Sequence, residues 1–165
     1  PVKRFIAANN RNDIFYHYLQ TGNYEPRPSV ATIANAMDVG DPSNFARILD
    51  LYGRSLEAIR ADISAARYDD EQICRAIAET LERTGYLLDP HGACGYLALC
   101  EGLREDETGV FLETAHPAKF RDRVEPVVGR SIEIPARLAE FMRGKKLSVE
   151  LPADFGAFRD FLMAK

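Results

Sequence analysis

Strands are scarce in this chain, and that scarcity limits its possible folds more than any other feature. Two apolar runs read as short buried strands: residues 4–8, and Gly109-Val110-Phe111-Leu112. Each is bounded by polar or turn-forming residues and is too short for an ordinary helix. About seven other segments repeat their apolar residues at helical spacing. Two short strands rarely make a stable sheet by themselves. In an α/β protein they need neighbours, so the pattern predicts an incomplete sheet, finished by further sequence or by a second copy of the chain. The competing reading is an all-helical domain with two incidental apolar runs.

The helical patterns are legible in order. Ile14, Phe15, Tyr18 and Leu19 share one face, and Gly22 stops the helix. Residues 23–43 hold three prolines and one glycine and read as loop. Ser43 is the expected N-cap of a helix carrying Phe45, Ile48, Leu49 and Tyr52 up to Gly53. A further helix is expected over 55–66. Asp69 and Gln72 form a capping-box pattern ahead of Ile73, Ile77 and Leu81, with Gly85 as the stop. Tyr96, Leu97 and Cys100 suggest a helix after Asp89-Pro90-His91. Pro117 suits the first turn of another helix, with Phe120, Val124 and Val127. Residues 135–143 and 154–164 complete the set.

Composition narrows the function. Hydrophobic residues make up 46% of the chain, enough for a real core, and the net charge is -4. A general nucleic-acid or membrane-surface binder would carry a basic excess. No apolar run approaches transmembrane length. The chain opens at Pro1 directly before an apolar stretch, which suggests an internal start. Cys74, Cys94 and Cys100 show no metal spacing; they are expected as reduced thiols at apolar positions of a cytoplasmic protein. His17, His91 and His116 show no zinc pattern either.

Three polar segments are candidate sites. Asn9, Asn10, Asn12 and Asp13 follow the first strand, and Glu113, Thr114 and His116 follow the second. Ligands of open parallel sheets bind beyond the carboxyl ends of strands. The same residues equally suit helix caps and turns. In the segment 32–47, a helix start at Ser43 offers free N–H groups and Arg47 a fork of donors for an anion; a capped helix with a solvated arginine is the alternative. In Asp89-Pro90-His91-Gly92-Ala93-Cys94-Gly95, small residues permit close approach, and His91 is either a base or an N-cap residue.

Together these segments resemble the threonine synthase family, in its longer-chain bacterial and fungal branch. The matching stretches are residues 2–8 with Asn10, Asn12 and Asp13; Thr32 to Arg47; Asp89 to Ala93; Thr114 to Phe120; and Leu151 to Phe155. They occur in the family's order from one end of the chain to the other. Asp41 stands where the family usually has Asn, and Cys94 where a small residue is common. The resemblance implies an α/β fold: the C-terminal portion of a tryptophan-synthase-β-like (fold type II) enzyme dependent on pyridoxal 5'-phosphate (PLP), with residues 1–165 belonging to its catalytic region. The implied reaction converts O-phospho-L-homoserine and water to L-threonine and phosphate.

The same resemblance implies that a part is missing. The cofactor needs a lysine to form a Schiff base, and the family carries it in a Ser-Phe-Lys-Asp context. Lys3, Lys119, Lys145, Lys146 and Lys165 have no such context, and the family's glycine-rich phosphate loop is absent. The chain is therefore expected to be inactive alone. By motif position, Thr114 is the expected hydrogen-bond partner of the pyridine nitrogen, and Asp89 an acidic residue beside the ring. Asn10, Asp38, Asn44 and Arg47 are expected to shape the substrate pocket, with Arg47 suited to a phosphate. A related phospho-lyase and a non-catalytic binding module are the alternatives.

Overall fold

The computed structural model describes residues 2–35 and 38–164. Ala36 and Met37 of the Asn-Ala-Met-Asp-Val-Gly string lie outside the described residues, as does Lys165. The chain divides into two compact units, residues 1–132 and residues 133–165.

The first unit is built around two parallel strands, β1 (Phe5–Asn9) and β2 (Ile63–Arg67). They pair in register, from Phe5 opposite Ile63 to Asn9 opposite Arg67. Three helices connect them: α1 (Ile14–Thr21), α2 (Phe45–Leu51) and α3 (Leu56–Asp62). Tyr18, Leu19, Phe45, Ile59 and Ile63 form a buried cluster, with Ala7 and Ala65 packed against it. Alternate strand residues point to opposite faces, so Ile6 serves the other side, where it meets α5 (Pro90–Gly102) at Gly102. α4 (Asp70–Thr84) backs α5. Helices therefore cover both faces of the strand pair, as buried parallel strands require.

Local chemistry explains the helix limits. Asp69 accepts from Gln72 N, and the Gln72 side chain accepts from Asp69 N, so the predicted capping box opens α4. Gly22 and Gly85 both take left-handed conformations at helix ends. Asp89 caps α5 by accepting from His91 N at 2.9 Å, and Pro90 fills its first turn. A 3₁₀ turn over Pro117–Phe120 leads into α6 (Arg121–Val128).

Three expectations are corrected. The helix expected over 55–66 ends at Asp62, and residues 63–67 form β2. Ile59 and Ile63 stand four apart, which imitates a helical stripe, and the alanines add no strand signal. Second, 109–112 forms no ladder among the described residues; Val110 and Leu112 are exposed. The partner of the first strand is 63–67 instead. Third, Ser43 does not cap α2; Asn44 precedes it, with no side-chain cap. Of the cysteines, Cys94 is buried but Cys100 is exposed.

The second unit holds α7 (Ala136–Met142) and α8 (Phe155–Met163), close to the predicted ranges. Asp154 caps α8 by accepting from Ala157 N.

Ile77 of α4 is fully buried. Ile77→Ala is expected to lower the unfolding free energy by about 2–5 kcal/mol, the usual range for such a cavity. Urea titration reads this directly; a loss well under 1 kcal/mol would mean that the α4–α5 layer is not part of the cooperative core.

Candidate functional site

The polar residues that follow β1 form a closed network rather than a loose cluster. Asn10 Nδ2 donates to Thr32 Oγ1 at 3.0 Å, to Ala34 O at 3.3 Å and to Asp38 Oδ1 at 3.3 Å. Asn12 Nδ2 donates to Asp38 Oδ1 at 2.9 Å and to Val30 O at 2.8 Å. Thr32 adds its hydroxyl and its backbone N–H to Asp38 at 2.8 and 3.0 Å. Asp38 thus collects four donors, and the loop 23–44 is tied to the carboxyl end of β1. Gly40 lets this loop fold back on itself: Arg27 N donates to Gly40 O at 3.0 Å, and a Cβ at Gly40 would clash with Arg27 O.

A cavity of about 740 Å³ opens beside this network. Every residue from Phe5 to Asn10 lines it, from both faces of β1, so it runs along the strand's unpaired edge. Its length is apolar. Its polar lining consists of Asn9, Asn10, Asn12, Asn44, Arg47 and His91. Asn44 and Arg47 are exposed at its mouth.

Behind His91 lies an acidic pair, Asp89 and the half-buried Glu113. Asp89 is fully buried, and its Oδ1 lies 2.9 Å from His91 Nδ1. Burial alone would push the Asp89 carboxyl up. The hydrogen bonds from His91, together with one shared with Glu113, outweigh that and hold it down at about 2. An ionised carboxylate only accepts, so His91 Nδ1 is the donor. Glu113 goes the other way: burial and the neighbouring Asp89 charge raise it to about 8. Asp89 Oδ2, His91 Nε2 and Glu113 Oε1 are all buried without a hydrogen-bond partner.

The expected site residues therefore fall in three places. Asn10 and Asp38 meet directly, and Asn44 and Arg47 share the cavity with Asn10. Asp89 sits one layer deeper, behind His91. Thr114 is exposed and does not line the cavity. Sequence reading missed Thr32 as the partner of Asp38, and the pairing of Asp89 with Glu113. The first was hidden because contacts across a loop have no periodic signal. The second had one cue, Gly92 at the opening of α5.

Parts of this arrangement suit a phosphorylated aromatic cofactor and one part does not. The amides offer neutral hydrogen bonds, Arg47 a phosphate-compatible fork, and the volume is that of a small-molecule site. No lysine lines the cavity, so the residues fit a wall of such a site and not its covalent anchor. Among the described residues there is no metal-binding cluster and no helix long and apolar enough to cross a membrane.

The chain belongs to the pyridoxal-phosphate dependent enzymes: that family's model matches residues 1–114. Within it the likeness is narrower, since a model of the threonine synthase C-terminal region matches residues 92–162. Threonine synthase of Escherichia coli (strain K12) is 42% identical over 99% of this chain, and that of Serratia marcescens 43%. The chain spans 38% of the length of both. The crystal structure of the Escherichia coli enzyme superposes with a TM-score of 0.81, again over 99% of this chain and 38% of the other. A PLP-bound threonine synthase from Brucella melitensis superposes at 0.77, with 31% identity, over 99% of this chain and 40% of that one.

Replacing Asp38 with Ala strips four donors of their acceptor at once. The expected cost is about 1–3 kcal/mol, because the freed donors stay partly buried. Thermal unfolding of the variant, with hydrogen exchange of residues 23–35 as the local readout, checks it. Unchanged exchange would show that the loop is held by something else.

Proposed function

We propose that this chain provides part of a threonine synthase, which converts O-phospho-L-homoserine and water to L-threonine and phosphate with PLP as cofactor. The observation that carries this is the end-to-end likeness: 42% identity with a TM-score of 0.81 across 99% of the chain. The polar lining of the cavity supports it, because a guanidinium and several amides suit a phosphorylated amino acid. We place the protein in the cytoplasm, with a small-molecule substrate and no nucleic-acid or membrane partner.

When bound, PLP supplies an electron sink for charge developing on the substrate carbons. The chain's own residues do the rest on this side. Arg47, exposed at the cavity mouth, pairs with the substrate phosphate. Asn44 lies one residue ahead of its helix and offers an amide to the same end. Asn10 and Asp38 shape the wall, since their donors and acceptors are already engaged with each other. Thr114, which lies outside this cavity, would present its hydroxyl to the pyridine nitrogen when the cofactor is bound, a neutral partner that would leave that nitrogen largely unprotonated. Asp89 acts from behind, holding the proton on His91 Nδ1 and fixing the ring that lines the cavity. The unpaired edge of β1 is where further sheet joins, from the remaining length of a longer chain or from a second copy.

Two substitutions in the full-length enzyme test these roles, read as phosphate release from O-phospho-L-homoserine. Arg47→Ala is expected to raise KM about tenfold or more, the scale of one lost charge-assisted contact, while kcat changes less. An unaltered KM removes Arg47 from the phosphate site. Thr114→Asp is expected to shift the cofactor's absorbance and cut turnover; an unchanged spectrum and rate show that Thr114 is not the ring partner.

A further inference from the structure

Residues 107–116 alternate strictly between half-buried and exposed, although they pair with no strand among the described residues. This is the period of an extended strand. Three of the half-buried members, Gly109, Phe111 and Glu113, meet α5. Gly109 abuts Leu99 and Leu103, Phe111 packs on Tyr96 and over Gly95, and Glu113 fills the space left by Gly92. The segment thus runs as a strap along one helical stripe, 92–95–99, in the opposite direction to the helix. Val110 and Leu112 point away, 83% and 75% exposed.

Glu113 is the odd member of this row. A methyl group on Gly92 would stand 2.2 Å from Glu113 Oε1, so the carboxyl occupies the place of a side chain at the first turn of α5. It lies there against Asp89, and neither Glu113 Oε1 nor Asp89 Oδ2 has a protein donor. Two carboxylates cannot hydrogen-bond each other. One proton on Glu113 satisfies both oxygens at once, because the acid O–H then donates to Asp89.

We propose that Glu113 is a positioning residue: as a neutral acid it hydrogen-bonds Asp89, clamps the strap 109–116 onto α5, and so fixes Thr114, the next residue along. Thr114's role rests on the reading given under Proposed function; the clamp does not. The raised pKa of Glu113, about 8, agrees with the geometry. The groups facing the pair are Asp89 itself, His91 on α5, Tyr86 in the α4–α5 connection and Cys94, which senses Asp89. Of these, Tyr86 and Cys94 are pushed up, Tyr86 first by burial and Cys94 to about 12. Both stay neutral over the range in question. The sign follows from the direction of the shift. A carboxyl whose pKa is raised on docking holds a proton that the released strap does not. The clamp is complete below the ordinary carboxyl range and weakens as pH rises through about 8.

The test is hydrogen exchange of amides 109–116 in the full-length protein between pH 6 and 8, corrected for intrinsic rates. Wild-type protection should fall by up to about tenfold per pH unit, one proton's worth of linkage. Glu113→Gln keeps a donor toward Asp89 and should hold protection constant over this range. Glu113→Ala, and Gly92→Ala, which displaces the carboxyl without removing it, should leave the strap unprotected at every pH. Wild-type protection that does not change with pH, or Glu113→Ala protected like wild type, overturns the clamp. The cofactor absorbance, followed over the same pH range, separates the two claims. A spectral shift in wild type that vanishes in Glu113→Gln supports the link to Thr114. A pH-dependent strap with an unmoving spectrum keeps the clamp and overturns the role of Thr114.

Discussion

The in-register pairing of β1 with β2 is the constraint on which the rest of the first unit depends. Because Asn9 stands opposite Arg67, both strands end at one level. The residues that follow must then share one edge. Asn10 and Asn12 go to the loop network, and Asp13 pairs with Arg27 and Arg67. Asn9 locks the level itself, donating to Ala66 O at 3.0 Å. A slip of one residue would turn Ile6 toward the α1–α3 cluster and Ala7 toward α5, and both layers would lose their packing.

α5 is the second organising element, through its opening rather than its length. Asp89, Pro90 and Gly92 stand within one turn. The first caps the helix, the second fixes its entry, and the third leaves room for another segment's side chain. Burying Asp89 completely is unfavourable unless its oxygens are bonded. His91 supplies two of those bonds from the same turn. The remaining oxygen reaches toward Glu113, which joins the capping chemistry of α5 to the strap that carries Thr114. A helix cap and the strap are here two ends of one short chain of contacts.

Much of this was legible in the sequence because helical spacing and caps are local signals. The Asp69–Gln72 box, the stops at Gly22 and Gly85 and the start at Asp89-Pro90 all stand where the residues put them. β2 was hidden because Ile59 and Ile63 keep helical spacing across a helix-to-strand junction, and Ala65 and Ala66 carry no strand preference. The segment 109–112 reads as a buried strand because it is a short apolar run; its extended period of two shows only in exposure, and the residues do not encode a ladder partner. At the site, Asn10 and Asp38 were named from position, but their meeting depends on a loop closing over more than twenty residues. Glu113 was noticed only as polar, since its consequence comes from packing against Gly92.

We propose that this chain builds one wall of a PLP site without the lysine that anchors the cofactor. Incubating residues 1–165 with PLP, reducing with borohydride and mapping the products by mass spectrometry tests it most directly. The expected outcome is no absorbance band of a lysine-linked cofactor and no stoichiometric pyridoxyl adduct on any of its lysines. A single lysine labelled to completion, with the matching absorbance band, would contradict it.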